Sequence, residues 1–222
     1  MRGLAILLSV LFGLVAPGAQ APPDASFHPV SYVEVLPASR AAATAAFRQY
    51  RQAAAKQDGY VRADVFEQIG RPGHFAIVET WRDQKAFDAA ASGPLKVLLD
   101  ALQPIRSSGY DQRPYKTLTV DSRGSTAGGA ISVVTHVDTS QSPLVPELLR
   151  RLAEASRREQ GNVRFDVVQH MMRANHFTVI ESWQSEKSLE AHAAAAHTRQ
   201  YRDELQPMTG SPLDERIYRS VE

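Results

Sequence analysis

The chain contains one stretch of sequence twice, and this duplication limits its possible folds more than any other feature. Residues 59–81 and 161–183 superpose without a gap at a shift of 102 positions. The aligned residues include glycine, histidine and tryptophan, which rarely match by chance. The matched pairs include Gly59/Gly161, Arg62/Arg164, Asp64/Asp166, His74/His176, Phe75/Phe177, Glu79/Glu181 and Trp81/Trp183. A repeat of this length is domain-sized, so the sequence predicts two similar domains rather than a solenoid.

Charge and cysteine content exclude several classes of function. The 222 residues carry a formal net charge of +1, which provides no electrostatic footprint for nucleic acid or an anionic membrane. The sequence has no cysteine. Disulfides, thiolate metal sites, cysteine nucleophiles and lipid attachment at cysteine are therefore excluded.

The first 21 residues have the pattern of a secretory signal peptide. Arg2 precedes an apolar run over 4–15, and small residues follow up to Ala21. The alternative is a retained membrane anchor, but the run is shorter than a typical spanning helix. We therefore expect an exported protein, periplasmic or secreted, with no membrane contact after cleavage.

The remaining chain is predicted to form two domains, at 28–120 and 130–222, joined by a flexible linker at 121–129. Each domain has the element order β-α-β-β-α-β, the ferredoxin-like arrangement. The third strand of each unit is apolar on both faces, so both faces need a cover. The predicted fold class is therefore α+β, with two units packed sheet to sheet as a barrel within one chain. A monomeric pseudo-dimer and a homodimer both remain possible.

The layout resembles the antibiotic biosynthesis monooxygenase family, whose members form dimeric α+β barrels. The resemblance is carried by residues 161–167 (GNVRFDV), 177–183 (FTVIESW) and 188–192 (SLEAH), followed by His197. It implies oxygenation of an electron-rich aromatic substrate, such as a quinol, by O₂ without metal or flavin. It also implies a pocket between the sheet and the helices. The family includes quinol and anthrone oxygenases as well as haem-degrading enzymes.

Two residues of the second unit are the candidate catalytic groups. His192 lies on the helix after the hairpin and is a candidate general base, because imidazole titrates near neutral pH. The alternative is a solvated histidine on a helix face. Trp183 ends the third strand of its unit, where its indole N–H could place a substrate oxygen; the alternative is a packing role. The first unit has Ala90 where the second has His192, which places any histidine chemistry in the second unit.

Four further residues are candidates for substrate binding. Trp81 occupies the place of Trp183 in the first unit, and Phe177 belongs to the matching motif. His197 either closes the same pocket or caps it, and Tyr218 either reaches the pocket or closes the barrel. Metal binding by His192 and His197 is disfavoured by their five-residue spacing, although a helix break between them would bring them together. No metal or cofactor is expected.

Charged residues lie within the otherwise apolar strands of both hairpins. We expect Arg62 to pair with Glu79, and Arg164 with Glu181, because buried charges need partners. A catalytic carboxylate is the alternative.

Two other functions compete with oxygenation. One is a non-catalytic ligand-binding or stress-related barrel protein, because the first unit lacks the histidine of the second. The other is haem binding or degradation, with His192 as the iron ligand. The related haem-degrading enzymes carry an asparagine in the first strand where this chain has Thr135, which disfavours haem.

Overall fold

A computed structural model describes residues 25–121, 130–140 and 142–221. The predicted signal peptide, and the predicted linker apart from its first residue, lie outside these ranges. Within them, no helix is both long and apolar enough to cross a bilayer.

The first unit has the predicted element order, with its second helix in two pieces. Asp83 caps the first of these pieces by accepting a hydrogen bond from the backbone N–H of Ala86 at 2.7 Å. A π-helical segment at 91–95, which contains Pro94, separates the two pieces. The elements are β1 (Phe27–Glu34), α1 (Arg40–Ala54), β2 (Tyr60–Gln68), β3 (His74–Trp81), α2 (Gln84–Ala90), α3 (Lys96–Leu102) and β4 (Asp111–Thr119).

The second unit repeats this order. Gly161 precedes its hairpin with a φ of +86°, and a Cβ atom there would lie 2.4 Å from the Ser188 hydroxyl. Both the left-handed backbone and the close approach require glycine. The elements are β5 (Ile131–Asp138), α4 (Leu144–Ser156), β6 (Asn162–His170), β7 (His176–Trp183), α5 (Glu186–Ala193), α6 (Ala196–Leu205) and β8 (Asp214–Ser220).

The eight strands close into one antiparallel barrel, which confirms the predicted intrachain α+β barrel. Their order around the barrel is β1-β3-β2-β8-β5-β7-β6-β4. The fourth strand of each unit joins the two halves: β4 pairs with β1 and with β6, while β8 pairs with β5 and with β2. The units therefore share a hydrogen-bonded sheet, and each of the eight strands has a neighbouring strand on both sides.

Strand alternation gives the barrel two separate cores. Inward-facing side chains such as Val30, Val134 and Ile180 fill the barrel interior. Outward-facing side chains pack under the helices of their own unit, for example Ile77 in the first and Val179 in the second. The apolar residues on both faces of the third strands are thereby buried, as the sequence predicted.

The structure corrects the expected arginine–glutamate pairs. Arg62 and Arg164 point into the barrel, whereas Glu79 and Glu181 lie on the opposite face of the hairpins, because the positions differ in strand parity. Arg164 binds the two inward-facing aspartates instead. Its Nη1 lies 2.8 Å from Asp64, and its Nε lies 2.5 Å from Asp166. Each aspartate comes from a different unit, so this network joins the halves of the barrel.

Candidate functional site

A cavity of about 260 Å³ lies between the outer sheet face of the second unit and helices α4, α5 and α6. We call it the outer cavity. It occupies the place that the sequence predicted for a pocket. Apolar side chains form most of its wall, and several polar groups reach it. Among these, Arg202 and Glu215 are partly exposed and form an ion pair at 3.3 Å. The lining residues are Val133, Thr135, Leu152, Phe165, Val179, Glu181, Leu189, His192, Ala193, Thr198, Tyr201, Arg202, Leu213, Glu215 and Ile217.

Glu181 is the buried carboxylate in the lining of the outer cavity, whereas Glu215 is partly exposed. Glu181 faces the helices because it shares the outward face of β7 with Val179 and Trp183. Its Oε2 accepts a hydrogen bond from the indole Nε1 of Trp183 at 2.7 Å. Desolvation by burial raises the pKa of Glu181 to about 7, although the indole hydrogen bond opposes the rise. A carboxyl group with this pKa can accept and release a proton near neutral pH.

His192 lies beside this carboxylate. It is on the last turn of α5, it is 5% exposed, and its ring stacks on Trp183 at a centroid distance of 4.6 Å. The interpretation of His192 as a solvated helix-face residue is therefore wrong. Its Nε2 is 3.5 Å from Glu181 Oε2, and its Nδ1 is 2.6 Å from Glu159 Oε1. Burial lowers the pKa of His192, and the bond to Glu159 opposes this effect.

The same place in the first unit is closed. Tyr50 occupies the position equivalent to Leu152, and its hydroxyl donates to Glu79 Oε2 at 2.6 Å. Trp81 donates to the same oxygen at 2.9 Å, as Trp183 does to Glu181. Glu79 is 0% exposed, and desolvation raises its pKa to about 7. Both units thus contain the glutamate–tryptophan pair. In the second unit the glutamate reaches a cavity and has a histidine beside it, and in the first unit it has neither.

The structure separates the other predicted site residues from the outer cavity. Trp183 lies behind His192 and Glu181, and its N–H is used by Glu181 rather than offered to a substrate. Trp81 is buried in the other unit, in contact with Phe87. Phe177 lies toward the start of β7, and lines a different cleft near α4. Tyr218 points into the barrel interior, because it has inward parity on β8. None of these four aromatic residues is in the lining of the outer cavity, and their roles in catalysis or substrate binding stay predictions.

His197 lies on the far side of His192 from the outer cavity. Its Nε2 is 3.0 Å from Glu159 Oε1, so Glu159 joins the two histidines. The break between α5 and α6 brings them together despite their unfavourable spacing in sequence. One ligand atom from each of Glu159, His192 and His197 lies within 4.8 Å of the others. The helix break that the sequence offered as the alternative therefore does bring the two histidines together, despite their five-residue spacing.

Sequence reasoning missed two residues that shape the site. Glu159 lies in the turn after α4, where an acidic residue is unremarkable, and Leu152 is an ordinary core residue of α4. A comparison of the two repeats contains the signal for both. At the 102-residue shift, Glu159 aligns with Gln57 and Leu152 aligns with Tyr50.

Comparison with known proteins places this geometry in a family. The family model described as "Antibiotic biosynthesis monooxygenase" matches residues 27–95 and again residues 131–204. The Bacillus subtilis (strain 168) protein "Putative monooxygenase YcnE" is 29% identical over 63 residues. That match covers 28% of this chain and 66% of the relative, slightly less than two thirds of its length.

Solved structures share the whole architecture at low sequence identity. A protein from Fusobacterium nucleatum described as a "Putative monooxygenase" has a TM-score of 0.82 at 14% identity, covering 90% of this chain and 94% of its own. One from Lactobacillus acidophilus NCFM has a TM-score of 0.77 at 11% identity, covering 89% and 95%. An "anthrone oxidase-like protein" has a TM-score of 0.65 at 11% identity, covering 90% and 93%. At these identities the likeness establishes the fold alone.

The family model, in contrast, matches by sequence and covers more than half of the residues in two copies. The chain belongs to the antibiotic biosynthesis monooxygenase family.

Proposed function

We propose that the chain is a cofactor-independent monooxygenase that oxidises a small phenol or hydroquinone with O₂ in the outer cavity of its second unit. The observation that carries the proposal is the Glu181 carboxylate, which reaches an otherwise largely apolar cavity and has His192 beside it. Family membership supports the reaction class, and the site supports the choice of unit.

The size and lining of the cavity favour a small aromatic substrate. A cavity of roughly 150 Å³ with apolar walls accommodates benzene, so about 260 Å³ suits one substituted ring or two fused rings. Phe165, Val179 and Leu189 supply apolar surface for the ring. The same volume, together with Thr135 at the position of the expected asparagine, argues against a haem group.

The chemistry requires removal of a phenolic proton. Glu181 is assigned as the base because its carboxylate reaches the cavity and its pKa is raised to about 7, well matched to proton transfer near neutrality. Trp183 positions this carboxylate through its indole N–H, and is therefore a positioning residue. His192 is placed to share a proton with Glu181 across 3.5 Å once substrate binds.

The electrons come from the substrate. The phenolate transfers electron density to O₂; one oxygen atom enters the ring and the other leaves as water. For a hydroquinone, the balanced products are a hydroxyquinone and one water molecule, with all four electrons supplied by the ring. The apolar wall favours this step because O₂ and the neutral quinone product are both poorly solvated by water.

Oxygen consumption tests the proposal. Purified protein is supplied with a panel of hydroquinones, and spontaneous autoxidation is subtracted with a protein-free blank. We expect turnover by the wild type and a loss of about 100-fold or more in Glu181→Gln, since general bases contribute roughly 10²–10⁴-fold. Glu79→Gln is the matched control, because it makes the same change in the closed unit, and it should retain turnover.

The competing function is ligand binding without catalysis by the same barrel. It is favoured if no hydroquinone causes oxygen uptake above the blank while a panel member still raises the melting temperature. Equal losses in Glu181→Gln and Glu79→Gln would also contradict the assignment of the site to the second unit.

The proposal also locates the protein outside the cytoplasm, on the basis of the apolar run over residues 4–15. Mass spectrometry of the natural protein should find an N-terminus near residues 19–22. An intact Met1 would contradict export by signal cleavage.

A further inference from the structure

We propose that Glu159, His192 and His197 form a binding site for a divalent transition-metal ion, on the side of His192 that faces away from Glu181. The ligand atoms are Oε1 of Glu159, Nδ1 of His192 and Nε2 of His197. The proposal stands independently of oxygenase activity, because it is read out as metal binding.

The three ligand atoms already converge. Glu159 Oε1 lies 2.6 Å from His192 Nδ1 and 3.0 Å from His197 Nε2, and all three atoms lie within 4.8 Å of one another. Ligands on one tetrahedral zinc ion, at bond lengths near 2.0–2.1 Å, are about 3.3 Å apart. Small rotations of the side chains therefore give metal-ligand geometry, with the metal replacing the proton shared by Glu159 and His192.

The backbone fixes the direction of each ligand. Glu159 lies in the turn that follows α4, which ends at Ser156. His192 is on the last turn of α5, and His197 is on the first turn of α6, which begins at Ala196. The chain bends between these two helices, and the bend turns both imidazoles toward the same carboxylate.

The second ring nitrogen of His192 provides an independent observation. Its Nε2 faces Glu181 Oε2 at 3.5 Å. Histidines that bind metals usually donate their other N–H to a carboxylate, which fixes the tautomer and makes the coordinating nitrogen more basic. The order Glu181–His192–metal places a carboxylate on the second nitrogen of the ring, at contact distance rather than in a formed hydrogen bond, and it places the ion directly behind the wall of the outer cavity.

The fold does not require these three residues. The first unit has Gln57 in place of Glu159 and Ala90 in place of His192. After the helix break the repeat shift becomes 103, where Leu102 aligns with Leu205, and Pro94 then takes the place of His197. The unit folds in the same way without any of the three, so their convergence in the second unit is not explained by packing.

The ligand set selects the class of metal. Two imidazoles and one carboxylate suit Zn²⁺, Fe²⁺, Co²⁺, Ni²⁺ or Cu²⁺, whereas Mg²⁺ and Ca²⁺ prefer oxygen ligands alone. The side chains of Glu159 and His197 are 19% and 31% exposed. The ion can therefore enter from solvent, and water can complete its coordination.

Calorimetric titration of Zn²⁺ into untagged, chelator-treated full-length protein tests the site. We expect one ion per chain, with a dissociation constant in the micromolar range or tighter. Glu159→Gln and His197→Ala should each weaken binding by about 10-fold or more. His74→Ala is the matched control, because His74 pairs with Glu34 at 3.6 Å but has no second histidine in that pair. It should bind as the wild type does.

Tryptophan fluorescence then locates the ion. The chain has two tryptophans, so Trp81→Phe leaves Trp183 as the only tryptophan, which is excited selectively at a wavelength that tyrosine does not absorb. Its ring lies 4.6 Å from that of His192. Co²⁺ or Ni²⁺ should quench this emission, and His197→Ala in the same background should shift the quenching to about 10-fold higher metal concentration. Absence of Zn²⁺ binding, or equal affinity in wild type and both ligand variants, would overturn the proposal. Circular dichroism verifies that each variant is folded.

Discussion

The two outer faces of the barrel are built on one plan and differ in what fills them. In both units the third strand presents a glutamate held by a tryptophan two residues later. In the first unit Tyr50 covers Glu79 and seals it from solvent. In the second unit Leu152 leaves space, and Glu181 shares the outer cavity with His192.

This difference shows how a duplicated fold can divide its tasks. Most of the shared residues stabilise the structure: the inward arginines and aspartates join the halves, and the glycines permit the turns. The shared glutamate is the exception, because it is sealed in the first unit and reaches the outer cavity in the second. The residues that differ, Tyr50 against Leu152 and Ala90 against His192, create an open site in one copy and a closed one in the other. The site that we propose therefore combines a glutamate that both repeats share with residues that differ between them.

The largest effect is expected from a variant that closes the outer cavity of the second unit with a tyrosine, as Tyr50 closes the first unit. Leu152→Tyr should reduce hydroquinone-dependent oxygen uptake by about 100-fold, because the ring fills the cavity and its hydroxyl binds Glu181. Leu152→Met is the control, since it conserves volume and adds no hydroxyl. Retained turnover in a folded Leu152→Tyr protein would show that the outer cavity is not the reaction site.

Substitution of the inward-facing arginines should lower stability, and the loss should be larger for the arginine of the second unit than for that of the first. Arg164→Ala should lower the free energy of unfolding by about 3–5 kcal/mol, because it leaves Asp64 and Asp166 buried without their main partner. Arg62→Ala should cost less, since the Arg62 side chain is 21% exposed against 1% for Arg164. Urea unfolding at pH 7 measures both, and equal losses would contradict the asymmetry.

The sealed carboxyl group of the first unit should make stability depend on pH. The folded state holds the pKa of Glu79 at about 7, above its usual value of 4.5, so the native protein binds more protons than the unfolded chain between these values. The contribution of Glu79 is therefore fully present below about pH 4.5 and is lost as pH rises to about 7.

Glu79→Gln removes this titration. Relative to the variant, the wild type should lose on the order of 2–3 kcal/mol of unfolding free energy as the pH rises from 4 to 8. Urea unfolding over this range measures it. A constant difference would show that Glu79 titrates normally despite its burial.

The smallest effect on stability is expected from an exposed ion pair that the first unit has and the second lacks. Arg82 pairs with Asp58 at 2.8 Å in the first unit, where the second carries Gln184 and Gln160. Both side chains of the pair are more than half exposed, so solvent and salt screen their attraction. Arg82→Gln should leave the urea midpoint unchanged within error, and a clear decrease would show that this pair holds the hairpin to α2.

Much of the fold could be predicted because its signals are local or repeated. Asp83 marks the start of a helix with its side-chain carboxylate, and Gly59 and Gly161 mark turns because their backbone is left-handed. Apolar residues on both faces of β3 and β7 predicted that both faces of these strands are buried. The duplication predicted that the second unit forms the other half of the barrel. Arg62 and Glu79 point to opposite faces of the hairpin because their positions differ in strand parity. This parity can be compared between two strands only when the pairing register is known, and for this reason the expected charge pairs were wrong.

The site depended on contacts between residues distant in sequence. The sequence by itself determined that the chain has two ferredoxin-like units, that they form one barrel, and that a histidine distinguishes the second. Tertiary structure decided that Glu181 lies beside His192 rather than beside Arg164, and that Glu159 and His197 meet on the other side of His192. Local periodicity sets which face of a strand or helix a residue occupies. The packing of α4, α5 and α6 on the sheet sets which of those residues touch, and this depends on the whole chain at once.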